Sequence, residues 1–197
     1  MRLKEGNKEK DIIEAAVKVF AKEGYHTAKI TTIARKAKVS TGSVYLYYKG
    51  KEEILLEIFR RLWKELTTST QLLVQRTDLD AVQKVDGIID LIFSLFEKNP
   101  SLAIVFVNEQ NHLVHRGSYD FTALYEKYLD LAQDVMAEGI RKRQLDPSLD
   151  LTVVRHFAFG GIRNLIHQWA HDPKQFPLDS VKRSVQSILK NGILSHR

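Results

Sequence analysis

The run Val39-Ser40-Thr41-Gly42-Ser43-Val44-Tyr45-Leu46-Tyr47-Tyr48-Lys49-Gly50-Lys51 constrains this chain more than any other stretch. It reads as a short helix that turns polar and aromatic groups outward, followed by a compact basic turn. Ser40 is placed to cap that helix by accepting a hydrogen bond from a backbone N–H of its first turn. Over the turns that follow, Val44 falls inward while Ser43, Tyr45, Leu46 and Tyr47 spread around the other faces. Just upstream, Ile33, Ala34 and Ala37 supply the buried stripe of a second short helix. Two short helices joined tightly, the second rich in hydroxyls and flanked by Lys, have the pattern of a helix-turn-helix that enters the DNA major groove.

The same stretch carries a resemblance. Gly24-Tyr25, Ile33-Ala34, Ala37, Val39-Ser40, Gly42, Tyr45, Tyr47-Tyr48 and Lys51-Glu52-Glu53-Ile54-Leu55 resemble the N-terminal signature of the TetR family of bacterial transcriptional repressors. Three positions depart from it: Lys29 where the family usually has Thr, Lys38 where it has Gly, and Tyr48 where it has Phe. Lys38 falls at a turn position that often needs positive φ, so a strained and somewhat distorted turn is expected there.

Charge agrees with the motif. Residues 1–64 hold 15 Lys/Arg against 8 Asp/Glu, and residues 65–197 hold 15 against 16, so the excess of the +6 chain sits around the helix-turn-helix. A localised basic surface attracts a polyanion, with an affinity that falls as salt rises. Zero cysteines exclude disulfides and thiol chemistry. With no secretory h-region and no apolar run of about 18 residues, the expected place of action is the cytoplasm, away from membranes.

The pattern beyond the motif predicts an all-α chain of about nine helices. A first helix runs to Glu23 on Ile12, Ile13, Ala16, Val19 and Phe20, with Gly24 as its stop. A long fourth helix from Lys51 to about Gln75 carries Ile54, Leu55, Ile58, Phe59, Leu62, Trp63 and Leu66 in register. Further helices are expected near 80–98, 100–115, 118–143, 149–171 and 177–194, punctuated by Asn99-Pro100, Gly117-Ser118, Asp146-Pro147 and Asp172-Pro173. Residues 1–52 form the expected DNA-binding head, and 53–197 the expected effector-binding and dimerisation domain.

Within the head, Thr41 offers a hydroxyl and a methyl to base edges, and Gly42 lets the backbone approach the duplex. The resemblance implies Thr41, Gly42, Tyr45 and Leu46 as the base-side group, with Ser40 as cap. It implies Tyr47 and Lys51 as phosphate contacts, and Thr31 and Ser43 as further hydroxyl contacts. Lys29 and Lys4 are candidates for phosphates near the minor groove. Arg and Asn are scarce on this helix, so methyl contacts, backbone geometry and DNA shape are expected to carry much of the specificity.

Two apolar helices close the chain. Phe157, Gly161 and Leu165 on one, and Val181, Val185, Ile188 and Leu189 on the next, are candidates for a homodimer interface; the family pairs the equivalent helices as a four-helix bundle. The middle helices hold enough aromatic residues to enclose a pocket for a small hydrophobic effector: Phe93, Phe96, Phe106, Tyr125, Tyr128, Phe159 and Trp169, with Arg163 as a polar group. Leu102-Ala103-Ile104-Val105, Phe159-Gly160 and Trp169 resemble TetR-type repressors of fatty-acid degradation, which release DNA on binding long-chain acyl-CoA. Those relatives tend to carry Arg where this chain has Gln110-Asn111-His112, so Arg116, Arg155 or Arg163 would have to meet the phosphates. Another lipophilic or cationic effector stays open.

Glu109, His112 and His115 drift around their helix, and only His167 and His171 share an i, i+4 face, so no metal is expected. No cofactor is implied either. The alternatives are a helical enzyme using the same apolar space, for which no nucleophile–base pair emerges, and an effector-free architectural DNA-binding protein.

Overall fold

A computed structural model describes residues 8–115 and 119–193. Among these residues the architecture is all-α, with nine helices. They are α1 (Lys8–Glu23), α2 (Ile30–Ala37), α3 (Thr41–Tyr47), α4 (Lys51–Val74), α5 (Ala81–Lys98), α6 (Pro100–His115), α7 (Tyr119–Arg141), α8 (Leu151–His171) and α9 (Leu178–Ile193). Every boundary that falls within the described residues lies close to its sequence expectation, because the ends are set by local chemistry. Asp80 and Gln83 form a reciprocal capping box at α5, and the Asp150 carboxylate accepts from the Thr152 and Val153 amides at α8. Gly24 ends α1 at φ +76°, in the left-handed region that costs glycine least.

The head is built by α1, α2 and α3. Ile12, Ile13, Ala16, Val19 and Phe20 of α1 are all buried, as are Ile33 and Ala34 of α2 and Val44 of α3. Lys38 adopts φ 58° and ψ 38°, so the left-handed position between α2 and α3 is real. The turn is not distorted: the Val39 amide reaches Ala34 O at 3.0 Å and the Lys38 amide reaches Arg35 O at 3.2 Å, a regular helix C-terminus. The lysine therefore bears local backbone strain inside a turn that keeps its hydrogen bonds.

From the head, α4 runs on for 24 residues, about 36 Å at helical rise. Ile54, Leu55, Ile58, Phe59, Leu62, Trp63, Leu66 and Thr70 form its buried face. That face packs against α1 at the head end and against α5 and α7 further along. Trp63 is the hub: its ring lies 5.4 Å from Tyr125 and Tyr128, 5.8 Å from Phe159 and 6.0 Å from Phe106, centroid to centroid. One contiguous hydrophobic core runs from Ile12 to Val185, so the expected boundary at 52/53 falls inside continuous packing and within α4. None of the helices is long and apolar enough, among the described residues, to cross a membrane.

Replacing Lys38 with glycine removes the left-handed strain while loosening the unfolded chain. Lys38→Gly is expected to raise stability by about 0.5–1 kcal/mol. Urea unfolding should show a higher midpoint at an unchanged slope.

Candidate nucleic-acid interface and effector cavity

Ser40 holds the start of α3 as its sequence suggests, its hydroxyl accepting from the Ser43 amide at 3.0 Å. The two serine hydroxyls also lie 2.8 Å apart, so Ser40 and Ser43 are occupied with each other. Val44 is fully buried beneath them. On the outer side, Leu46 is 84% exposed, Tyr45 56% and Tyr47 40%. Apolar side chains presented this openly on a two-turn helix mark a contact surface. A methyl group added at Gly42 would meet nothing nearer than Ser40 Oγ, 3.9 Å away, so the fold does not require glycine there. Thr31 and Lys29 are exposed at the start of α2, and Lys36, Lys38 and Lys49 are exposed around the same side of the head. Lys4 lies outside the described residues.

Lys51 is placed differently from its expected role on phosphate. Its ammonium donates to His26 O at 2.6 Å, Tyr25 O at 2.9 Å and Ala28 O at 3.4 Å, and it sits 4.8 Å from the centre of the Tyr25 ring. The N–H groups of this ammonium thus close the loop between α1 and α2 onto the first turn of α4. Tyr48, buried as expected for a core residue, adds a tie that sequence reasoning missed. Its hydroxyl donates to Glu9 Oε1 at 3.3 Å, and Arg61 Nη2 of α4 meets the same oxygen at 2.5 Å. Burial, then the Glu9 carboxylate, pushes the Tyr48 phenol far above its ordinary range, so it stays a neutral donor. Burial works to raise the Glu57 carboxyl, but hydrogen bonds from Arg61 and Arg60 hold it below the usual range. The Tyr48-for-Phe departure was the signal: a hydroxyl added at a core position needs a partner.

In the body of the protein, a cavity of about 60 Å³ lies between α5, α7, α8 and α9. Its walls are almost wholly apolar, with Ile88, Ile92, Leu129, Met136 and Ile162 among them. Of the aromatic residues expected to enclose a pocket, Tyr128 and Phe159 line this space. Phe93, Phe96, Phe106, Tyr125 and Trp169 do not; all but half-buried Tyr125 are buried, and all five sit in the hydrophobic core. They were legible as apolar and aromatic but not as wall or filler, since both uses need the same side chains. Arg163 also sits elsewhere, donating to Val107 O at 2.9 Å. The cation that lines the cavity is Arg155, joined to Asp130 at 2.5 Å and Glu126 at 3.2 Å.

An open apolar face lies outside this cavity. Phe157 is 71% exposed and Ile188 65%, and Val153 is exposed with them. Cβ atoms added at Gly160 or Gly161 would meet nothing within 4 Å. Leu165 and Val181 are half-buried. Val185 is buried and Leu189 lines the cavity, so these two members of the expected interface face their own domain. An amphipathic α9 wedged between core and open surface explains the split: its stripe of apolar residues is wider than one interface.

Elsewhere, the His167 and His171 rings stack at 4.3 Å, and His171 Nδ1 lies 2.9 Å from His167 O. No group of three His, Cys, Asp or Glu among the described residues could hold a metal ion. The side chains of His112 and His115, and Arg116, lie outside the described residues.

Comparison with known proteins agrees with this geometry at both ends of the chain. The sequence model for bacterial regulatory proteins of the tetR family matches residues 12–58, and that for the C-terminal region of YsiA-like proteins matches residues 62–192. The fatty acid metabolism regulator protein of Bacillus subtilis (strain 168) is 30% identical over 190 residues, covering 92% of this chain and 93% of its own. The chain belongs to the TetR family. It is a DNA-binding transcriptional repressor and not an enzyme.

Two solved TetR-family structures extend the likeness over the whole fold. The fatty acid degradation regulator FadR of Bacillus halodurans superposes with a TM-score of 0.85 at 28% identity, covering 99% of this chain and 100% of that one. FadR of Bacillus subtilis, in complex with stearoyl-CoA, superposes at 0.81 with 29% identity, covering 93% and 98%. The two family matches meet inside α4, between residues 58 and 62, where Arg60 and Arg61 grip Glu57.

The Lys51 contacts yield a test within this TetR-family head. Lys51→Met leaves loop carbonyls without their charged donor and is expected to cost about 1–2 kcal/mol. Guanidinium unfolding of the variant and wild type measures the difference directly.

Proposed function

We propose that this repressor binds a palindromic operator as a homodimer in the cytoplasm and is released by a hydrophobic effector. The observation that carries the DNA-binding role is the openly presented Tyr45-Leu46-Tyr47 surface on a helix capped by Ser40, set in the basic part of the chain. In this reading Thr41, Tyr45 and Leu46 meet base edges, Gly42 permits close backbone approach, and Thr31 and Tyr47 contact the sugar-phosphate backbone. Lys51 supports them from behind by fixing the loop that carries α2. One head reaches only a half-site, and a second copy packed on the Phe157–Ile188 face supplies the other.

Long-chain acyl-CoA is the proposed effector, supported by the likeness to a regulator solved with stearoyl-CoA. The cavity of about 60 Å³ is far below the ~300 Å³ of the smallest common ligand sites, so the resting protein is closed. An acyl chain would part α5, α7, α8 and α9, and α7 packs directly on α4. Rotation of α4 would then change the spacing of the two recognition helices. Coupling of about 1–3 kcal/mol is enough for useful release.

Anisotropy with a duplex selected from a random pool tests both halves. Operator affinity should fall linearly on a log–log salt plot, and stearoyl-CoA should weaken it about 5–150-fold. An operator complex untouched by saturating acyl-CoA would exclude this effector. Gly42→Ala should raise thermal stability slightly, by about 0.5–1 kcal/mol, yet weaken operator binding. Unchanged operator affinity in that variant would remove Gly42 from the interface.

A further inference from the structure

Three buried donors meet at the junction of α4 and α7 without a partner. Trp63 and Thr70 are fully buried on the inner face of α4, and Tyr128 of α7 is 1% exposed. The indole Nε1, the Thr70 hydroxyl and the Tyr128 hydroxyl all lack a hydrogen bond. They are neighbours: the Trp63 and Tyr128 rings are 5.4 Å apart, and the Thr70 hydroxyl acts on the Tyr128 phenol. An unmet buried polar group costs about 1–3 kcal/mol, and phenylalanine or valine would fill the same space without it. Because an indole nitrogen can only donate, the three groups cannot satisfy one another. Their common need is an acceptor.

Tyr128 also lines the apolar cavity, so the cluster stands at one edge of the space proposed for the acyl chain. A carboxylate is a poor match, since the three donors are neutral and a buried charge needs a charged partner. A carbonyl oxygen is a good one. We infer that Trp63, Thr70 and Tyr128 receive the thioester carbonyl of the effector, so that the ligand's acyl end bonds directly to the helix that carries the DNA-binding head. This subsite rests on the acyl-CoA reading above. It assigns the sensing of the carbonyl to α4 itself, rather than to pressure from the parted walls alone.

Tyr128→Phe and Thr70→Val each remove only an unpartnered hydroxyl, so both should melt at or above the wild-type temperature. Calorimetric titration with stearoyl-CoA should show about tenfold weaker binding by each. The octadecyl thioether of CoA, which lacks the carbonyl, should bind wild type about tenfold more weakly than stearoyl-CoA, and Tyr128→Phe should no longer distinguish the two. Stearate should bind far more weakly than the thioester. Full stearoyl-CoA affinity in both variants, with raised melting temperatures, would mean that the hydroxyls hold at most a water, and the inference fails. It fails equally if wild type binds thioether and thioester alike, or prefers stearate, while the acyl-CoA reading survives the former result. If wild type binds neither CoA ligand, that reading falls together with the subsite.

Discussion

Burial of one face of α4 is the constraint on which the rest depends. Ile54 and Leu55 close the head's core, Phe59 and Trp63 sit among the aromatic residues of α6, α7 and α8, and Thr70 completes the stripe. A single straight element buried along most of its length cannot bend at either end without opening apolar surface, at roughly 25 cal/mol per Å². Head and body are therefore linked by packing, and the long helix that joins them is also the path by which a change in one reaches the other.

At the head end, polar ties make that link specific. Lys51 draws the α1–α2 loop onto α4, while Glu9, Tyr48 and Arg61 join α1, the end of α3 and α4. These ties are partly exposed, so each contributes modestly to stability. Their value lies in direction: they orient α3 so that Tyr45, Leu46 and Tyr47 stand outward together. A folded protein leaves such groups exposed only where something else is to cover them.

The body shows the opposite economy. Its aromatic residues fill space more completely than the sequence pattern suggests, leaving a cavity of about 60 Å³ and a set of buried donors without acceptors. A closed apolar space beside unmet polar groups is a strained resting arrangement, and relief by a ligand is a natural source of coupling free energy. The exposed Phe157 and Ile188, by contrast, lie on the far side of the same helices and point away from the cavity. One layer of helices thus separates the space proposed for the effector from the face proposed for the second copy.

By itself the sequence determined the helices, their ends and the recognition surface, because these depend on contacts within a few residues. Ser40 caps Ser43, Asp80 caps Gln83, Gly24 stops α1, and the i, i+3, i+4 spacing marks the buried faces. The left-handed turn at Lys38 was legible for the same reason, although its intact hydrogen bonds were not. Tertiary structure alone decided which aromatic residues became filler and which became wall, since Phe96 and Phe159 are indistinguishable until their neighbours are placed. It also turned Lys51 toward three carbonyls more than twenty residues away, chose Arg155 over Arg163 for the cavity, and divided Val185 and Leu189 from Ile188. Each of those outcomes depends on which distant segment arrives at a side chain, and chain spacing carries no record of that.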